Sequence, residues 1–193
     1  MRFRVLNKNP VYDYREACKI TEGRDLFNED STYKPKDEVA WWIKQIVANH
    51  STIRSIHFRL VDIEPKSVVM QLIRATKGHP QPYVQSSRPD WTGQERSSDP
   101  YDPKMFVQDH TAESFVEMAK QRLCMRTEEK TKQAMRELVE ALKESTDPFL
   151  KAVGFCCHPA CYWLQGCPEL KGCQGAVKIA DAIIRIYKFE NLV

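Results

Sequence analysis

A chain of 193 residues with 42% apolar and 28% charged residues can bury a core and stay hydrated. That excludes a disordered segment and favours one domain over residues 1–193. A net charge of +3 is too small for the footprint of polymeric nucleic acid, yet it tolerates an anionic ligand. The opening MRFRVLNKNP lacks the apolar core of a signal peptide. No stretch reaches the roughly eighteen apolar residues of a membrane span, so the expectation is a cytoplasmic protein with no membrane partner.

After a short opening strand, MRFRVL, residues up to 34 are polar and irregular. PKDEVAWWIKQIVANH then places Val39, Trp42, Ile43, Ile46 and Val47 on one helical face, with Asp37 and Glu38 near the positive helix start. In RSIHFRLVDIE, Ile56, Phe58 and Leu60 alternate with His57 and Arg59, which predicts a half-buried strand. The alternation breaks at Val61 and Asp62, where a strand end or bulge is expected. Pro65 suits the first turn of a second helix, PKSVVMQLIRAT, anchored by Val69, Leu72 and Ile73, with Gln71 and Arg74 three apart on a neighbouring face.

Residues 77–104 carry several prolines and Gly93 and predict little regular structure, a length that favours a binding loop. Two helices follow. Thr111 caps the first, with Phe115, Met118 and Leu123 on one side; Thr127 caps the second, with the stripe Met135, Leu138, Val139 and Leu142. Pro148 opens a further segment, and the cysteine-rich part 156–173 leads into a last apolar helix, AVKIADAIIRIYK. The predicted fold class is α+β, several helices on a small, mainly antiparallel sheet.

Gln71, Arg74, Lys77, Ser86, Ser87 and Arg88 supply amide, cationic and hydroxyl donors around one turn. Two converging arginines can grip a phosphate bidentately while serines complete its oxygen shell. The same residues also suit a solvated loop, and Tyr83 and Trp91 suit either a ring stack or local anchoring. Of the seven cysteines, Cys157, Cys161, Cys167 and Cys173 follow C-x3-C-x5-C-x5-C. Four thiolates in that order can enclose zinc or an iron–sulfur cluster, with Cys156 and His158 as spare ligands. The alternative is a reduced cluster packed near Trp163. Cys124 reads as a packed cysteine on an apolar helix face.

HSTIRSIHFRLVDIEPKSVVMQLIR followed by YVQSSR resembles the flavin-dependent thymidylate synthases over residues 41–88. It is similar in the order of a histidine-containing helix end, a strand, a helix with Gln-Leu-x-Arg, and a Ser-x-Arg element. YVQSSRPD, the Arg122–Cys124 segment and CPE-x-K-x-C resemble more closely a divergent, phage-associated, thymidylate synthase-complementing branch. The resemblance implies a homotetramer, or a dimer, that takes FAD, methylene-tetrahydrofolate and deoxyuridine monophosphate. It implies nucleotide contacts from Gln71, Arg74, Ser86, Ser87 and Arg88, and cofactor contacts from His50, Ser51 and Arg74. Arg74 and Lys171 are the implied catalytic residues, Lys171 standing near the place of a late arginine. The location implied is the host cytoplasm if the chain is phage-encoded.

The departures are specific. The family's Arg-His-Arg reads Arg74, Ala75 and Thr76; a glutamate two residues before the serine is Val84; a Glu-His pair is Arg54 and Ser55. Three functions are therefore expected in order: one-carbon transfer to C5 of a pyrimidine deoxynucleotide monophosphate with flavin hydride transfer, hydroxymethylation at C5 without it, and nucleotide binding without catalysis.

Overall fold

The computed structural model describes residues 1–23, 33–75, 82–93, 97–168 and 173. The AVKIADAIIRIYK segment and Lys171 lie outside the described residues. Among those described, helices pack on an antiparallel sheet of four strands in the order β1-β2-β4-β3, an α+β architecture. The strands are β1 (Arg2–Val5), β2 (His57–Pro65), β3 (Tyr83–Val84) and β4 (Pro103–Thr111). The helices are α1 (Pro10–Thr21), α2 (Glu38–Ala48), α3 (Lys66–Arg74), α4 (Pro89–Thr92), α5 (Ala112–Arg122), α6 (Glu129–Lys143), α7 (Pro148–Cys156) and α8 (Ala160–Leu164), with a 3₁₀ turn at Ser51–Ser55.

β2 is longer than its hydrophobic pattern. It pairs with β4 from His57 opposite Thr111 to Pro65 opposite Pro103, without ending or bulging at Val61. Asp62 continues the inward row behind Phe58 and Leu60 with its charge offset at one oxygen: the Met1 amino group lies 3.2 Å from Oδ1 and the Ile63 N–H donates to it at 2.9 Å, while Oδ2 is buried without a hydrogen-bond partner. β4 itself falls partly in the stretch expected to be irregular. Its inward row is Lys104, Phe106, Gln108 and His110, all buried. Three polar residues there hide the alternation that would mark a strand. Lys104 is neutralised by Asp102 at 2.7 Å, and the His110 ring stacks on Phe58 with its Nδ1 3.1 Å from Ser114 Oγ. On the outer face Arg59 clasps Asp109 through two contacts of 2.6 and 2.8 Å, which holds the Asp109 carboxyl below its ordinary range.

The helices cover one face of this sheet. Trp42 of α2, Phe58 of β2, Phe115 of α5 and Phe149 of α7 are fully buried and meet edge-on or tilted, with ring centres 4.9–6.2 Å apart. Each such side chain contributes roughly 1.5–3 kcal/mol by leaving water. Val47, expected on the buried face of α2, is 53% exposed, since that stripe narrows toward the helix end. Thr111 caps α5 reciprocally with Ser114. The cap of α6 is Glu128, not Thr127: the carboxylate accepts the Thr131 N–H at 2.9 Å, whereas the Thr127 hydroxyl donates to the Gln121 carbonyl at 2.8 Å. Pro65 ends β2 and immediately precedes α3. Helices α6 and α7 approach so closely at Gly154 that an added Cβ would stand 2.7 Å from the Lys143 nitrogen.

Candidate functional site

α3 turns Val68, Val69 and Leu72 into the core and leaves Gln71 half-buried on its flank. That flank borders a cavity of about 980 Å³ between α3, the end of α5, the turn before α6, and α8. α5 supplies Glu117, Lys120 and Arg122, α8 supplies Cys161 and Trp163, and the connecting turn supplies Cys124 and Arg126.

Two buried donors distinguish this cavity from an ordinary groove. Arg122 Nε and Trp163 Nε1 are shielded from solvent and have no hydrogen-bond partner. A buried unpaired donor costs about 1–3 kcal/mol, so a ligand oxygen that meets it gains that amount back. Burial holds the Arg122 guanidinium below its ordinary range, and the neighbouring Arg74 charge adds to the effect. Two neighbouring guanidinium groups favour an anion between them. Lys120 sits 5.6 Å from the centre of the Trp163 ring and pairs with Glu117, so its charge is partly committed.

The residues expected from sequence are distributed unevenly. Gln71 is on the cavity wall, and Arg74 is exposed one turn further along α3, within electrostatic reach of Arg122. Ser86, Ser87 and Arg88 lie in the turn between β3 and α4, and none of them is a wall residue of this cavity. That turn satisfies itself. The Arg88 N–H donates to Ser86 Oγ at 3.1 Å, its guanidinium pairs with Asp90 at 2.6 and 3.2 Å, and it lies 4.8 Å from the centre of the Trp91 ring. Tyr83 and Trp91 are 75% and 72% exposed.

His50 and Ser51 are exposed at the start of the 3₁₀ turn and do not line the cavity. Arg54 is held by Glu113 of α5 at 2.5 and 3.0 Å, a tie between the 3₁₀ turn and the helix start. Ala75, where the resemblance implies a histidine, is fully buried in the core.

The cysteines separate into two groups. Cys156 and Cys157 are buried at the end of α7, where burial pushes the Cys156 thiol up to about 11 and the Cys157 thiol higher still, next to Cys156 and Lys143. Cys161, Cys167 and Cys173 instead line the cavity, joined there by Cys124. Cys124 is not part of a packed helical stripe; it lies in the turn after α5 and is half-buried. Among the described residues, no group of three or more His, Cys, Asp or Glu side chains is gathered closely enough for a metal ion.

Arg122, Trp163 and Cys124 are the cavity residues that sequence reasoning did not select. The Arg-Leu-Cys segment was the available signal for two of them, and Trp163 carried none beyond its proximity to the cysteines. Compared with known proteins, the chain matches no family model, no curated protein and no solved structure.

Proposed function

We propose that this protein binds a pyrimidine deoxynucleotide monophosphate at the cavity beside Gln71 and promotes one-carbon transfer to C5 of its ring, as a flavin-dependent thymidylate synthase-like enzyme. The observation that carries this reading is the pair of buried unpartnered donors, Arg122 Nε and Trp163 Nε1, on the same cavity as Gln71. A guanidinium fork suits a phosphate or a ring carbonyl, and an amide offers both a donor and an acceptor to a pyrimidine edge.

Uracil C5 attacks an electrophilic carbon only when negative charge developing on the ring is stabilised. Fixed donors in a site shielded from water do this without reorganising. In this reading Arg122 and Gln71, both on the cavity wall, take that role, with Arg74 adding positive potential from the helix end. Lys171, the other implied catalytic residue, lies outside the described residues. The carbon donor is a methylene-tetrahydrofolate. Loss of the C5 proton and departure of tetrahydrofolate, its nitrogen keeping the electron pair of the broken C–N bond and taking up a proton, leave an exocyclic methylene, which becomes a methyl group by accepting hydride or a hydroxymethyl group by adding water.

The flavin set fits less well. Ala75 is enclosed in the core where a histidine is implied, and His50 and Ser51 are exposed away from the cavity. FAD stays in the proposal as the hydride source, and no step is routed through it. The buried Ala75 is the specific observation that favours hydroxymethylation as the second reading. Association of copies belongs to the same proposal, supported by exposed Ile63, Met70, Tyr83 and Met105. Among the described residues no helix is long and apolar enough to cross a membrane.

Incubation with deoxyuridine monophosphate or its cytidine counterpart, methylene-tetrahydrofolate and a reductant, with and without FAD, tests the proposal by product mass. FAD-dependent thymidylate is the expected product. A hydroxymethyl product without FAD selects the second reading. Binding without turnover selects a non-catalytic nucleotide-binding protein, and absence of both binding and turnover overturns all three.

A further inference from the structure

Three cysteines of the regular run share a space with one from outside it. Cys124 follows α5, Cys161 lies in α8, and Cys167 and Cys173 come after it, yet all four line one cavity. Cys173 is within electrostatic reach of Cys167, Cys124 and Cys161. Cys157, the first member of the regular spacing, is buried beside Cys156 and Lys143 and is not a wall residue.

The backbone makes a tight reversal to bring this about. Gln165 adopts a left-handed conformation, φ 52°, at the end of α8, and the Gly166 N–H donates to the Cys161 carbonyl at 3.2 Å. A residue with a Cβ is disfavoured there and is held by its surroundings. The reversal turns the chain back between Cys161 and Cys167.

We propose that Cys124, Cys161, Cys167 and Cys173 form a four-thiolate site for a soft metal centre, zinc or an iron–sulfur cluster, that fastens α8 to the end of α5. Thiolate sulfur selects these metals, and a closed set of four cysteines leaves no coordination position for a substrate, so the centre is structural. A divalent ion in four thiolates carries net negative charge, which Lys120 and Arg126 on the same cavity offset. Loading displaces four thiol protons to solvent.

As placed, no three of these thiols stand at the spacing that holds a single ion. Zinc would draw them in to about 2.3 Å from the metal, whereas an iron–sulfur cluster fills a larger volume. This inference rests on the thiol cluster and is independent of the nucleotide reading.

The test uses the full chain, purified without oxygen, with zinc, iron and acid-labile sulfide counted, followed by cobalt(II) titration of the metal-stripped, reduced protein. The expected result is about one centre per chain, with the sulfur-to-cobalt charge-transfer bands of a tetrahedral thiolate site. Iron with sulfide identifies a cluster, and zinc without sulfide identifies a single ion. Cys124→Ser is expected to weaken cobalt binding at least about tenfold while Cys157→Ser leaves it unchanged.

Thiol alkylation of the unaltered protein gives a second readout in case Cys124→Ser fails to fold. Added zinc should protect Cys124, Cys161, Cys167 and Cys173 and leave the labelling of Cys18 as it was. Absence of thiolate–cobalt bands in the reduced protein overturns the proposal. So does loss of binding in Cys157→Ser with retention in Cys124→Ser, or zinc protection that omits Cys124.

Discussion

Two segments that the sequence joins into one nucleotide grip occupy different surroundings. Gln71 and Arg74 stand on α3, whose other face is locked into the core by Val68, Val69 and Leu72. Ser86 and Ser87 stand half-buried in a surface turn whose exposed Arg88 is already held by Ser86, Asp90 and Trp91. The contrast shows that donor chemistry alone does not make a site. A donor becomes available to a ligand when the fold fixes it and leaves it without an internal partner, as at Arg122, and not when its own turn satisfies it.

The largest expected effect comes from removing what fixes α3. Leu72→Ala should cost about 2–5 kcal/mol in chemical denaturation, since Leu72 is fully buried. Trp91→Ala in the exposed turn should cost no more than about 1 kcal/mol, the scale of an exposed cation–π contact. Comparable losses at both positions would erase the distinction between a fixed and a loose segment.

A smaller and pH-dependent effect is expected at Glu64, near the end of β2. Burial, with the charges of Asp62 and Glu137 adding to it, pushes its carboxyl up to about 7. A raised carboxyl favours the protonated folded state. Its stabilising influence is full below the ordinary carboxylate range and is lost as pH rises through about 7. Glu64→Gln should therefore raise the melting temperature at about pH 8 and leave it nearly unchanged at about pH 4. A gain confined to the acidic end would show that Glu64 is ionised without penalty.

The smallest effect is expected at Arg88, where a pair exposed at both ends contributes about 0–1 kcal/mol to stability. Arg88→Ala should leave unfolding nearly as it was, as thermal denaturation would show. A larger loss would make this turn a structural element and not a surface one.

The same contrast explains what was legible in the sequence. The stripes of α2, α5 and α6 were readable because apolar side chains recur at helical spacing and the core accepts them unchanged. β4 was not, because Lys104, Gln108 and His110 occupy inward positions, Lys104 paired with Asp102 and His110 with Ser114 and Phe58. The length of β2 was hidden for the same reason, an inward Asp62 neutralised by the Met1 amino group.

In the candidate site, Gln71 was legible because a helix fixes the spacing to Arg74. Arg122 and Cys124 were obscure because their importance depends on α8 folding back against the end of α5, a contact that no local spacing encodes. Cys157, the first of the regular run, is buried at the end of α7 and does not line the cavity that Cys161, Cys167 and Cys173 share.

Calorimetric titration of the full chain with deoxyuridine monophosphate, alongside Arg122→Ala and Arg88→Ala, tests the central claim most directly. The account predicts saturable binding that falls about 10–100-fold in Arg122→Ala, the worth of a charged hydrogen bond, and by less than about threefold in Arg88→Ala. Undiminished binding in Arg122→Ala, with loss in Arg88→Ala, would contradict it and move the nucleotide from the cavity to the exposed turn.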